Sequence, residues 1–160
     1  MADLQIRAAT NADAPAIREL VADVLREYGL DHDPSGTDAD LADIETNYLA
    51  AGGMFEVVVD GEQGGRIVGT MGMYPHGAYI CELRKMYLRP EVRGLGLGRQ
   101  LMDRALEFAR QRGFWRLELE TANVLREALS MYRKYGFRPV TSDRLSERCD
   151  QAYALDLRGR

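Results

Sequence analysis

The chemistry easiest to read in this chain lies in Arg93-Gly94-Leu95-Gly96-Leu97-Gly98-Arg99, between a strand-like run and a helical run. Glycines let successive backbone N–H groups turn into one concavity with no side chain in the way. The helix that follows adds unpaired N–H groups and the positive end of its dipole. A junction of this kind suits a phosphate, and Arg93 and Arg99 bring charge to its flanks. Two common phosphate motifs do not fit. A P-loop needs Gly-Lys followed by Ser or Thr. The dinucleotide fingerprint fails because its last glycine position falls on Arg99, counted from Gly94, or on Leu101, counted from Gly96. The competing reading is a flexible turn ahead of an amphipathic helix.

The elements that must position this loop follow from periodicity. Leu4 to Ala8 reads as a strand, and Thr10 to Asp13 as a capping box that opens a helix carrying Ile17, Leu20, Val21, Val24, Leu25 and Tyr28. A second box, Thr37 to Asp40, predicts another helix with Leu41, Ile44, Tyr48 and Leu49 on one face. Three strands then follow: Met54 to Val59, Arg66 to Tyr74 and Ala78 to Leu88, with turns at 60–65 and at Pro75-His76-Gly77. Short connections predict antiparallel pairing. In the third of these strands the apolar face begun at Leu83 should continue at Lys85 and Tyr87. It falls instead at Met86 and Leu88, a phase slip that predicts a β-bulge with unpaired backbone groups. A helix from Leu97 to Ala109, a strand from Trp115 to Thr121, a helix from Leu125 to Tyr132 and closing strands at 137–140 and 152–157 complete a β-α-α-β-β-β-α-β-α-β-β order. No linker divides it, so a single domain over 1–160 is expected.

Composition limits the function classes. Lys and Arg number 21 against 25 Asp and Glu, a net charge of −4. A mildly acidic chain argues against general nucleic-acid binding and fits a cationic substrate better. No apolar run approaches a membrane span, and MADLQIRAAT lacks a basic-then-apolar leader pattern. Cys81 and Cys149 form no CxxC pair, which fits a reducing cytoplasm. No HExxH or clustered Cys/His calls for a metal.

The stretch from Glu82 to Leu101, with Arg93, Gly96 and Gly98 at the R/Q-x-x-G-x-G/A positions, resembles motif A of the GNAT superfamily of N-acetyltransferases. Glu127 to Phe137, with Ala128, Tyr132 and Gly136-Phe137 as landmarks, resembles motif B of that family. The resemblance implies an α/β fold with a mixed, mostly antiparallel sheet, helices on both faces and a splayed strand pair that holds acetyl-CoA. It implies that pantetheine pairs with the backbone of Met86, Tyr87 and Leu88. It also implies that the pyrophosphate rests on Arg93, Gly94, Leu95, Gly96, Leu97, Gly98 and Arg99. No metal is implied. The family's Asn in motif B is replaced by Leu125, and Asn123 either substitutes for it or caps the helix.

The implied reaction moves an acetyl group to an amine of a small molecule, peptide or protein. An alkylamine is largely protonated at pH 7, so a base must help. The resemblance puts Glu82 in that role, with a merely ion-paired glutamate, to Arg84 or Arg99, as the alternative. It makes Tyr132 the acid beside the coenzyme A sulfur, with a core tyrosine as the alternative. Cys81 reads as packing, and His32 and His76 read as solvated loop histidines. Tyr28, Asp31 and Asp33 fall where the family's early helices wall the acceptor site. Many such folds form homodimers, and nothing in this sequence decides that. A non-catalytic acyl-CoA-binding or regulatory domain is the rival function; a partner-binding domain with a purely structural glycine loop is a third.

Overall fold

The computed structural model of the protein describes residues 3–142, 145–146 and 148–158. Strand β1 (Leu4–Ala8) leads through one 3-10 turn into helix α1 (Ala14–Glu27). The Thr10–Asp13 capping box forms, with Asp13 Oδ2 accepting from the Thr10 amide at 2.9 Å. Helix α1 buries the expected face, Ile17, Leu20, Val21, Val24 and Leu25.

The second expected helix is not regular. Residues 39–49 form a 3-10 turn at Ala39–Ala42 and a π turn at Glu45–Leu49. The groups that would have closed the Thr37 box bind elsewhere. The Thr37 amide donates to Asp33 Oδ2 and its carbonyl accepts from Lys85 Nζ. The Asp40 carboxylate instead accepts from the Tyr48 hydroxyl. Leu41, Ile44 and Tyr48 are buried as the periodicity requires, whereas Leu49 is exposed.

The remaining elements are β2 (Met54–Asp60), β3 (Arg66–His76), β4 (Ile80–Leu88), α2 (Leu97–Gln111), β5 (Arg116–Thr121), α3 (Arg126–Lys134), β6 (Arg138–Val140) and β7 (Gln151–Asp156). The seven strands form one sheet in the order β1-β2-β3-β4-β5-β7-β6. Every pair is antiparallel except β4–β5. Alternate strand residues feed two cores, as a sheet covered on both faces requires. Val57 joins α1 and the 39–49 segment in one, while Val58 joins α2 and α3 in the other. Among the described residues no helix is long and apolar enough to cross a membrane.

Strand β3 runs on through Pro75 and His76, which the sequence reads as a turn. Its pairing with β2 ends at Met54↔Met73, so Pro75 lies where β3 has only β4 beside it. A strand edge tolerates a missing N–H.

Two irregularities in β4 shape the site. Gly72 pairs with Arg84 and Thr70 with Tyr87, which leaves Lys85 and Met86 opposite the single residue between. This is the expected bulge, and Lys85 turns it with a left-handed φ of 54°. The parallel pairing of β4 with β5 covers only Ile80↔Arg116, Cys81↔Leu117 and Glu82↔Glu118. Beyond Glu82 the two strands separate.

Candidate active site

The gap between β4 and β5 opens into a cleft of about 1510 Å³. Its floor is β4 from Ile80 to Leu88 and β5 from Glu118 to Thr121. One end is the glycine loop with Gly94, Gly96 and Gly98, and α3 supplies Ala128, Met131 and Tyr132. The other walls come from Tyr28 and Leu30 after α1, from Thr37 and Asp40, and from the segment before β7.

The loop conformation follows from its glycines. Gly94 and Gly96 have φ of 79° and 83°, a region that strains a residue bearing a Cβ. Among the described residues the amides of Gly94, Leu95, Gly96, Leu97, Gly98 and Arg99 have no acceptor; the first backbone bond of α2 runs from Gln100 to Gly96. Side chains at the odd positions stay clear: Leu95 points to solvent and Leu97 into the core. The two arginines part company. Arg93 is drawn away, donating to both carboxylate oxygens of Glu27 at 2.5 and 2.9 Å and to the Leu88 carbonyl at 2.9 and 3.1 Å. It therefore ties the end of β4 to α1. Arg99 is exposed at the cleft and has no ion pair among the described residues.

The bulge is held by buried polar groups. Thr70 Oγ1 donates to the Lys85 carbonyl at 2.7 Å, and Lys85 Nζ reaches Asp38 Oδ1 at 2.7 Å. Asp38, with a fully buried carboxylate, also takes both Nη groups of Arg148 at 2.6 and 2.7 Å. Burial alone would raise the Asp38 pKa; the hydrogen bonds of Arg148 and the charge of Lys85 overcome it and hold the carboxyl far below its ordinary range. His32 lies 4.0 Å from the same carboxylate, and its Nε2 is buried without a hydrogen bond, so it is not the solvated loop histidine the sequence suggests.

Glu82 and Tyr132 both line this cleft. Glu82 Oε1 lies 3.0 Å from Arg84 Nε and 2.7 Å from His76 Nε2; Oε2 has no partner among the described residues. Its partners are thus Arg84 and His76, not Arg99. Tyr132 packs its ring near Phe137 and is 6% exposed, and its hydroxyl has no hydrogen-bond partner among the described residues. Burial pushes its pKa above the ordinary phenol value, with Tyr87 and Cys149 adding to the shift, so the hydroxyl keeps its proton. Met86, Tyr87 and Leu88 border the cleft, and burial pushes the Tyr87 hydroxyl up to about 12.

Asn123 stands apart. The cleft wall there is Ala122 and Leu125, while the Asn123 amide donates to Asp150 and its side-chain oxygen accepts from Gln151. It does not cap α3 either. Tyr28 lines the cleft, whereas Asp33 caps the 33–38 turn. Cys81 is buried and its thiol is pushed to about 12 by burial; Cys149 reaches the cleft wall and is also pushed up by burial. Sequence reasoning misses His76, Lys85, Asp38 and Arg148. Lys85, Asp38 and Arg148 meet from distant parts of the chain, and His76 meets Glu82 across the β3–β4 hairpin; the advance sign in the sequence is the bulge at Lys85.

Solved acetyltransferase structures share this fold. A GNAT-family acetyltransferase from Staphylococcus aureus superposes with a TM-score of 0.88 at 24% identity, covering 96% of this chain and 99% of the other. The yncA protein of Salmonella typhimurium, solved with its cofactor acetyl-CoA, superposes at 0.73 with 20% identity, covering 98% and 95%. At these identities the likeness is one of fold. In sequence, the Escherichia coli protein YjgM, described as an uncharacterised N-acetyltransferase, is 39% identical over 140 residues, 84% of this chain and 82% of its own length. The Acetyltransferase (GNAT) family profile matches residues 17–137. The chain belongs to this family and is an acyltransferase enzyme. Among the described residues no group of His, Cys, Asp or Glu is arranged to hold a metal ion.

Proposed function

We propose that this protein binds acetyl-CoA in the cleft between β4 and β5 and transfers the acetyl group to a primary amine by direct attack. The observation that carries this reading is the row of acceptor-free amides from Gly94 to Arg99 at the head of a gap whose walls hold Glu82 and Tyr132. Free amides at a helix start suit a pyrophosphate, and the open edge of β4 offers main-chain groups to an extended amide ligand. When bound, acetyl-CoA supplies the activated thioester. The chain's own residues then do three things. Glu82, together with the His76 imidazole bonded to it, relieves the ammonium of its proton as the base. Backbone N–H groups of the kind a bulge leaves unpaired stabilise negative charge on the acyl oxygen. The Tyr132 hydroxyl, held protonated, donates to the departing sulfur. The raised thiol pKa values of Cys81 and Cys149 disfavour an acetyl-enzyme route, because the thiolate is the nucleophile.

The test is thermal unfolding with acetyl-CoA, followed by thiol release across a panel of amines, amino acids and peptides. At 100 times the dissociation constant the ligand should add about 2.7 kcal/mol of stability. Absence of any upward shift would remove the reading. A shift without thiol release for any acceptor would favour a non-catalytic acyl-CoA-binding domain instead.

A further inference from the structure

We propose that the proton-accepting atom of this site is Nδ1 of His76, with Glu82 serving as the carboxylate that orients and stabilises the ring. The inference rests on the reading of the cleft as an N-acetyltransferase site and specifies one step of it.

His76 ends β3, two residues beyond Tyr74, the register partner of Glu82. Residues two apart on a strand share a face, so the imidazole leans back over β4 and its Nε2 meets Glu82 Oε1 at 2.7 Å. The same oxygen lies 3.0 Å from Arg84 Nε. A carboxylate only accepts, so the imidazole nitrogen facing it carries the hydrogen. That leaves the lone pair on Nδ1, which has no partner among the described residues. A hydrogen bond made by one ring nitrogen sets the state of the other in this way.

The surroundings prepare the ring for this work. The Tyr74 ring lies 5.1 Å from the imidazole, and the Arg84 guanidinium sits 4.0 Å over the same tyrosine. The His76 side chain is 46% exposed and Glu82 16%, so the histidine stands nearer to bulk water while both border the cleft. The charged and titratable groups around it are Glu82 and Arg84 from β4 and Tyr74 from β3. Behind them lie Asp40, 3.6 Å from Arg84, and the Arg116–Glu118 pair on β5. Arg84 and Arg116 each have an acid partner, so Glu82 is the charge in direct contact with the ring. A histidine is also better matched than a carboxylate to proton transfer near neutral pH, since their ordinary pKa values are roughly 6.5 and 4.3.

In the step itself the acceptor ammonium loses one proton to Nδ1, directly or through one water. The neutral amine then forms the C–N bond as the C–S bond breaks; the departing thiolate takes the Tyr132 hydroxyl proton, and the second proton of the acylated nitrogen passes through solvent to restore the phenol. The resulting imidazolium, bonded to Glu82 through Nε2–H, returns its proton to solvent.

Three enzymes decide the matter: wild type, His76→Gln and Glu82→Gln, compared by the pH dependence of kcat/KM with acetyl-CoA binding measured in parallel. His76→Gln keeps a donor for Glu82 but cannot titrate. It should lower the rate at neutral pH by about 100-fold, the scale of a lost general base, and erase the acidic limb of the profile. Glu82→Gln should keep that limb while lowering the rate along the whole profile, because the ring loses the carboxylate that orients it. The reverse pattern, with the limb kept in His76→Gln and lost in Glu82→Gln, overturns the proposal. So does loss of acetyl-CoA binding in His76→Gln, which would mark a structural contact. If wild type itself neither binds acetyl-CoA nor turns over, the broader reading of the cleft has failed instead.

Discussion

Lys85 Nζ and Asp38 Oδ1 stand 2.7 Å apart, and this bond joins the bulge of β4 to the loop after α1. Arg148, from the segment before β7, closes on the other side of the same carboxylate. Positions far apart in the chain therefore meet at one buried anion, each bordering the cleft from a different wall.

Removing that anion should be costly, because Arg148 would lose its carboxylate and Lys85 would keep only Asp40, 3.6 Å away, in a site with little water. Asp38→Asn should destabilise the protein by about 3 kcal/mol, the scale for breaking a buried pair. The pH dependence has a definite sign. The folded-state pKa of Asp38 is depressed below its unfolded value, so its contribution is complete above roughly pH 4 and fades as pH falls from there toward the folded-state value. Urea unfolding of wild type and Asp38→Asn at pH 7 and pH 3.5 should show the gap narrowing in acid. A constant gap would show that the carboxylate is not the source.

Tyr132→Phe isolates one hydroxyl. The ring keeps its packing against Phe137, and no hydrogen bond to a described residue is lost. Thermal stability and the acetyl-CoA dissociation constant should change little, while kcat should fall by roughly 10- to 100-fold. Stopped-flow or steady-state thiol release against calorimetric binding checks the split; equal losses in both would assign Tyr132 to binding rather than to the leaving group.

Gly96→Ala tests the loop without a collision. A Cβ there would meet nothing within 4 Å, yet the backbone sits at a φ of 83°. The left-handed strain of about 1–2 kcal/mol is relieved if the loop flips, and a flip turns the free amides away. Affinity for acetyl-CoA should drop about tenfold, equivalent to about 1.4 kcal/mol, as isothermal titration would show. Unchanged affinity would mean that these amides do not hold the pyrophosphate.

How much of this the sequence discloses depends on the range of the interactions. The Thr10–Asp13 box and the bulge are legible because each is written in adjacent residues: a cap three positions long and an apolar face that slips by one. The glycine loop is legible for the same reason. The Thr37–Asp40 box has an equally good local pattern, but its groups bind Asp33, Lys85 and Tyr48, and those tertiary partners win. His76 is hidden by Pro75 and Gly77, which look like a turn. Only the loss of the β2 neighbour at that point lets the strand pass through proline and bring the imidazole to Glu82. Likewise the sequence places Arg93 at the loop but does not show that Glu27 and the Leu88 carbonyl hold its guanidinium.

The short register between β4 and β5 has a mechanical side. Among the described residues the backbone seam between the first four strands and the last three is short: the pairs from Ile80 to Glu82, and the Tyr79 carbonyl, which accepts from the Trp115 and Arg116 amides. The rest of that seam is closed by helices and by whatever fills the gap. A molecule lying there would behave like an inserted strand, and its removal would loosen both halves of the sheet at once. Slowed amide exchange on binding should thus spread along β4 and β5 alike, well past the atoms that touch the ligand.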